Sequence, residues 1–60
     1  MAAKFEIYKD TAGQYRWRLK SANGQNIASS GEGFTTKASA ENGIDAVKRD
    51  APTATVVDLT

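Results

Sequence analysis

The chain has 60 residues, with eight Lys/Arg against seven Asp/Glu, a formal net charge of +1, and neither Cys nor His. One domain is all this length allows, and without Cys or His neither disulfides nor an ordinary structural zinc site can brace it. Of the 24 hydrophobic residues ten are Ala, and Met1 is expected to be disordered, which leaves 13 large apolar side chains. At this size apolar burial barely offsets the entropy of ordering the chain, so a partner, most simply a second copy, is expected to complete the core.

Lys4-Phe5-Glu6-Ile7-Tyr8-Lys9 alternates in character, with Phe5 and Ile7 on one face and Glu6 and Tyr8 on the other. This spacing predicts a strand. Asp10-Thr11-Ala12-Gly13-Gln14 carries turn chemistry, Asp supplying local hydrogen bonds and Gly a permissive backbone. Tyr15-Arg16-Trp17-Arg18-Leu19-Lys20 alternates without a fault: Tyr15, Trp17 and Leu19 share one face, Arg16, Arg18 and Lys20 the other. Asn23-Gly24 predicts a tight hairpin in which both turn positions take positive φ. A third strand is expected from Gln25 to about Ser29, with Ile27 facing the core. These segments make a three-stranded antiparallel meander with one apolar face.

Gly31-Glu32-Gly33 breaks the third strand, and a helical pattern runs from Lys37 to about Asp50. Thr36 is placed to cap its N-terminus. Ala40, Gly43, Ile44, Val47 and Ala51 recur every three or four residues and form one apolar stripe, the side expected to lie on the sheet. Gly43 costs about 1 kcal/mol relative to Ala in mid-helix, so its place on the stripe predicts a close approach of helix to sheet. Lys37 to Glu41 and Asp45 to Arg49 are i,i+4 pairs on the exposed side. Ala51-Pro52 stops the helix. Thr53 to Thr60, rich in β-branched residues, reads as a fourth strand. The order βββαβ is an α+β domain. If the last strand reaches a second chain, it covers an edge and adds core.

The strings KFEIYKD, QYRWRLKSANGQNIASSGEGF, KASAENGIDAVKRDAP and VVDLT resemble the YegP-like family of small bacterial domains of unknown function, from about Lys4 to Leu59. The most specific matches are Tyr15-Arg16-Trp17-Arg18-Leu19, Asn23-Gly24, and Glu41-Asn42-Gly43-Ile44 with Val47; Phe34 stands where Tyr is expected. The resemblance implies a β3-α-β unit that occurs as a tandem pair or as a single-unit homodimer with swapped C-terminal strands. For this chain it implies the homodimer, with Val56, Val57 and Leu59 as the dimer-forming strand. It carries over no catalytic, metal or cofactor residue.

Glu6, Tyr8, Arg16, Arg18 and Lys20 share the polar sheet face. Tyr8, Arg16, Arg18 and Lys20 are the candidate binding residues, since cations interleaved with an aromatic could hold phosphates and stack a base. The plainer reading is a solvated face whose charges pair across strands. Trp17 reads as core, although its indole N–H would need a partner there. Ser29-Ser30-Gly31-Glu32-Gly33 departs from a phosphate loop, because the helix starts several residues later and Lys37 is out of pattern; it reads as a connector. Glu41 and Asp45 lie one helical turn apart beside basic residues, without a third ligand to form a metal site. With the commonest catalytic bases and nucleophiles missing, a non-catalytic module is expected. The longest apolar run is three residues, which predicts neither a membrane span nor a signal peptide and makes the cytoplasm the plain location. Nucleic-acid binding through the basic face is the alternative to a homodimer that acts by macromolecular binding or an accessory role.

Overall fold

A computed structural model describes residues 2–60; Met1 lies outside the described residues. The elements are β1 (Lys4–Lys9), β2 (Tyr15–Lys20), β3 (Asn26–Ser29), α1 (Lys37–Asp50) and a short 3-10 turn at Ala51–Thr53. The strands form one antiparallel sheet in the order β1-β2-β3, and α1 packs on β1 and β2.

Two turns of the same design close the sheet's hairpins. In Asp10–Gln14, the Asp10 amide donates to the Gln14 carbonyl and the Gly13 amide to the Asp10 carbonyl. In Ser21–Gln25, the Ser21 amide donates to Gln25 and the Gly24 amide to Ser21. Gly13 and Gly24 take φ of 81° and 90°, the left-handed region that glycine enters without a Cβ clash. Asn23 keeps a negative φ, so the hairpin uses a three-residue loop ending in glycine rather than a two-residue turn with both positions positive. Asp10 Oδ1 accepts from the Ala12 and Gln14 amides, and Ser21 Oγ accepts from the Gln25 amide.

The register pairs Phe5 with Leu19, Ile7 with Trp17 and Lys9 with Tyr15 on one face, and Glu6 with Arg18 and Tyr8 with Arg16 on the other. Both strands therefore follow the predicted alternation. β3 departs from it. Ala28 opposes Leu19 and Asn26 opposes Lys20, so Ile27 is the extra residue of a bulge and is 57% exposed. The bulge, a property of how two strands pair, takes Ile27 off the core face where the alternation placed it. Beyond Ser29, Ser30 continues the contact with β2. Its amide donates to the Trp17 carbonyl, and its buried hydroxyl accepts from the Trp17 amide. The chain then loops out and returns at Phe34, which exchanges two backbone hydrogen bonds with Tyr15.

Thr36 caps α1, its Oγ1 accepting from the Ser39 amide at 3.1 Å. Ala40 is fully buried, Gly43, Ile44 and Val47 are half-buried, and Ala51 is exposed at the end of the stripe. Ala51 is still in helical phase, its amide donating to the Val47 carbonyl, but it stands at the helix end where the 3-10 turn with Pro52 begins. The pairs Lys37–Glu41 and Asp45–Arg49 do not close to ion-pair distance among the described residues; Arg49 instead binds the neighbouring Asp50 at 3.0 Å.

Residues 54–60 adopt no regular structure, contrary to the predicted fourth strand. A strand exists where a neighbour satisfies its backbone groups, and within one chain this segment meets no such ladder. Val56, Val57 and Leu59 are 97%, 70% and 91% exposed. Among the described residues the buried hydrophobics are Trp17 and Ala40.

Candidate functional site

The polar face of the sheet is assembled by the β1–β2 register. Glu6 lies opposite Arg18 and Tyr8 opposite Arg16, so a carboxylate and an aromatic ring each face a cation at the short range typical of strand neighbours. Arg18 Nε donates to Glu6 Oε1 at 2.7 Å, and the Arg18 guanidinium carbon lies 4.6 Å from the centre of the Tyr8 ring. Arg16 Nε donates to Asp10 Oδ2 at 2.6 Å. Lys4 Nζ approaches the second Glu6 oxygen at 3.4 Å, and Lys20 Nζ donates to the Gly24 carbonyl at 3.4 Å.

All four candidate binding residues, Tyr8, Arg16, Arg18 and Lys20, are thus brought onto one surface, but both arginines are committed to carboxylates and Tyr8 to a cation. The electrostatics follow from these contacts. The hydrogen bond from Arg18 holds the Glu6 carboxyl below its ordinary range, with Lys4 adding to it. Asp10 is held low first by Arg16 and then by the Gln14 and Ala12 amides, while Arg16 is raised by Asp10. Asp10 is the site residue that the sequence reading assigned only to a turn. Its signal was available: position 10 continues the 6, 8, 10 alternation of the polar face one step past the strand.

On the opposite face the Phe5 and Trp17 rings meet edge to face, 5.7 Å apart at 75°. Trp17 is core, 7% exposed, and its Nε1 finds no hydrogen-bond partner among the described residues. That nitrogen lies under α1: a Cβ at Gly43 would stand 3.0 Å from it and 3.5 Å from Phe34 Cζ. Gly43 therefore marks the close approach its position predicted. Ser29–Gly33 is a connector, pinned by Ser30 Oγ, which also donates to the Glu32 carbonyl. No group of His, Cys, Asp or Glu that could hold a metal ion gathers among the described residues, and no helix among them is long and apolar enough to cross a membrane.

Residues 10–58 match the family described as Domain of unknown function (DUF1508). The chain belongs to this family. A UPF0339 protein of Agrobacterium fabrum is 53% identical over 57 residues, covering 95% of this chain and 90% of that one. The solution structure of a protein from Haloferax volcanii superposes with a TM-score of 0.90 at 49% identity, covering 95% of each chain. A further UPF0339 protein, from Stutzerimonas stutzeri, is 50% identical over 52 residues, which is 87% of this chain and 46% of its own length. The family, the YegP-like group that the sequence strings resemble, is one of unknown function, and its three-stranded sheet with one helix is the α+β fold described above.

Proposed function

We propose that this protein is a non-catalytic homodimeric module, acting in the cytoplasm by macromolecular binding or an accessory role, in which Ala54–Thr60 of each copy adds as a strand to the other. The observation that carries the reading is the disposition of its apolar residues. Val56, Val57 and Leu59 stand almost wholly in solvent while the buried hydrophobics are Trp17 and Ala40. A folded chain of this size gains most by covering such a segment, and strand exchange does so with groups already present. The Stutzerimonas stutzeri relative, about half of which this chain matches, leaves room for a second unit in one polypeptide, an arrangement equivalent to two copies.

The non-catalytic part rests on the chemistry of the acids. Glu6 and Asp10 are held ionised by Arg18 and Arg16, and a carboxylate whose pKa is pushed down is a poor general base or acid at neutral pH. Size-exclusion chromatography with light scattering at micromolar concentration tests the dimer. Twice the 6.4 kDa chain mass is expected, and a stably folded monomer refutes it. Nucleic-acid binding through Tyr8, Arg16, Arg18 and Lys20 is the weaker reading, because a carboxylate already offsets the charge of each arginine, Asp10 at Arg16 and Glu6 at Arg18. In a salt titration, single- and double-stranded DNA are expected to show no steep loss of affinity that depends on Arg16 and Arg18. Tight low-salt binding abolished by Arg16→Ala with Arg18→Ala would reverse the order of the two readings.

A further inference from the structure

Asparagine precedes glycine twice in this chain, at Asn23-Gly24 and at Asn42-Gly43. In such a pair the glycine amide nitrogen, unshielded by a Cβ, can attack the asparagine side-chain carbonyl carbon. The sequence ranks the two sites equally, and the structure separates them. Asn42 and Gly43 lie inside α1. The position a Cβ would hold at Gly43 is 3.0 Å from Trp17 Nε1 and 3.5 Å from Phe34 Cζ. Ring closure needs a backbone torsion far from the helical one, so reaction at Asn42 requires α1 to open in its middle. Asn23 and Gly24 are exposed in the loop between β2 and β3. Nothing stands within 4 Å of the corresponding position at Gly24. There, the backbone hydrogen bond to be released is the one from the Gly24 amide to the Ser21 carbonyl, 2.9 Å long.

The loop also holds the group that reacts. Asn23 Oδ1 accepts from the Ser21 hydroxyl and from the Gln25 amide, the latter at 3.3 Å. Both donors face the oxygen on which negative charge gathers when Cγ is attacked, the arrangement that stabilises a tetrahedral oxyanion. We infer that Asn23 is a site of spontaneous covalent modification, at which the Gly24 nitrogen displaces the side-chain amide to close a succinimide. The bond from Gly24 N to Asn23 Cγ forms and the Cγ–Nδ2 bond breaks. The side-chain nitrogen leaves as ammonia, taking up the proton that the Gly24 amide gives away. Water then opens the ring. Addition at Cγ leaves aspartate, and addition at the Asn23 backbone carbonyl leaves isoaspartate, with the main chain running through the side-chain methylene. Either product adds a carboxylate, which cancels the formal net charge of +1. It does so in the loop where Lys20, a cation of the candidate face, rests its Nζ on the Gly24 carbonyl at 3.4 Å. Isoaspartate also lengthens the turn that joins β2 to β3.

The unaltered chain, aged in mildly alkaline buffer, tests this without substitution. Trypsin separates the two sites, since Ser21–Lys37 holds Asn23 and Ala38–Lys48 holds Asn42. Mass spectrometry follows the conversion of amide to acid in each peptide, and fragment ions distinguish Asn23 from Asn26. In the folded protein Asn23 is expected to convert at least about tenfold faster than Asn42, and in guanidinium chloride the two rates should converge. Conversion of Asn42 as fast as Asn23 in the folded chain would overturn the assignment, and so would an inert Asn23 in the folded chain beside a reactive one in guanidinium chloride. Ser21→Ala, checked for retained structure by circular dichroism, separates the donor from simple exposure. It removes one donor to Asn23 Oδ1 and is expected to slow conversion several-fold in the folded chain but not in guanidinium chloride. An equal or faster rate in the folded variant would refute the part assigned to Ser21.

Discussion

Gly43→Val probes the contact on which the helix–sheet arrangement depends. In α1, the site where a Cβ would be added lies 3.0 Å from Trp17 Nε1, 3.5 Å from Phe34 Cζ and 3.8 Å from Trp17 Cδ1. Carbon packs comfortably against a ring at about 3.5–4.0 Å, so Cβ alone is about half an ångström too close to the indole. The ring has little room to retreat: it is buried and held edge-on by Phe5. Val adds two methyl groups, and helix backbone restricts it almost to one χ1 rotamer, so it cannot swing clear. Overpacking of this kind costs about 1–3 kcal/mol, against a helix-propensity gain of a few tenths on leaving Gly. The net expectation is a loss of about 1–3 kcal/mol. For a domain this small each kcal/mol lowers Tm by about 4–8 °C, readable by circular dichroism at one fixed protein concentration, since the Tm of any self-associating chain depends on concentration. Gly43→Ala separates the two terms. It recovers about 1 kcal/mol of propensity and keeps the 3.0 Å contact, so it should fall short of the gain from an exposed Gly→Ala change. A Gly43→Val protein that melts at or above the parent temperature would refute the packing argument.

Thr36→Ala removes the hydroxyl that accepts from the Ser39 amide and should cost about 1 kcal/mol, with Thr36→Ser recovering most of it; thermal melts of the three proteins decide this. Acid titration of stability should report Glu6 and Asp10. Both carboxyls are depressed in the folded state, so their contribution is complete above the ordinary carboxylate range, about pH 4, and is lost as pH falls through the lower folded values. Asp10→Asn should therefore flatten the decline in stability below about pH 4 and leave its slope between pH 6 and 8 unchanged. An unaltered acid limb in urea melts would count against the Arg16–Asp10 pair.

What the sequence disclosed follows from how local each feature is. The alternation of Tyr15 to Lys20 predicts both faces of β2 because the strand has neighbours on both edges, and the strand period alone decides where its side chains point. The same rule fails at Ile27, since a bulge depends on the register between two strands, and neither strand carries that information by itself. Thr36 and Gly43 were legible because a cap and a close approach each demand a particular side-chain chemistry. The last segment was legible as β-forming, from Val56, Val57 and their neighbours, but its pairing depends on a partner strand that a single copy does not provide. Of the polar face, the placing of Tyr8, Arg16, Arg18 and Lys20 on one surface was legible from the alternation, and so was Glu6 opposite Arg18 across a hairpin; Asp10 on Arg16 needed the same alternation carried one step past the strand.

The polar contacts across β1 and β2 serve the fold itself. With two buried hydrophobic residues among those described, β1 is held to β2 by side chains on both faces: Phe5 against Trp17 beneath, Glu6 on Arg18 and Arg18 on Tyr8 above. Charge-assisted contacts on a partly exposed face contribute little each, but linked across one strand pair they favour one register. A strand fixed in register is what a second strand needs in order to add, because a slip of one residue would turn Phe5 and Ile7 to the solvent side. On this argument Arg18, through Glu6 and Tyr8, helps to hold β1 and β2 in register.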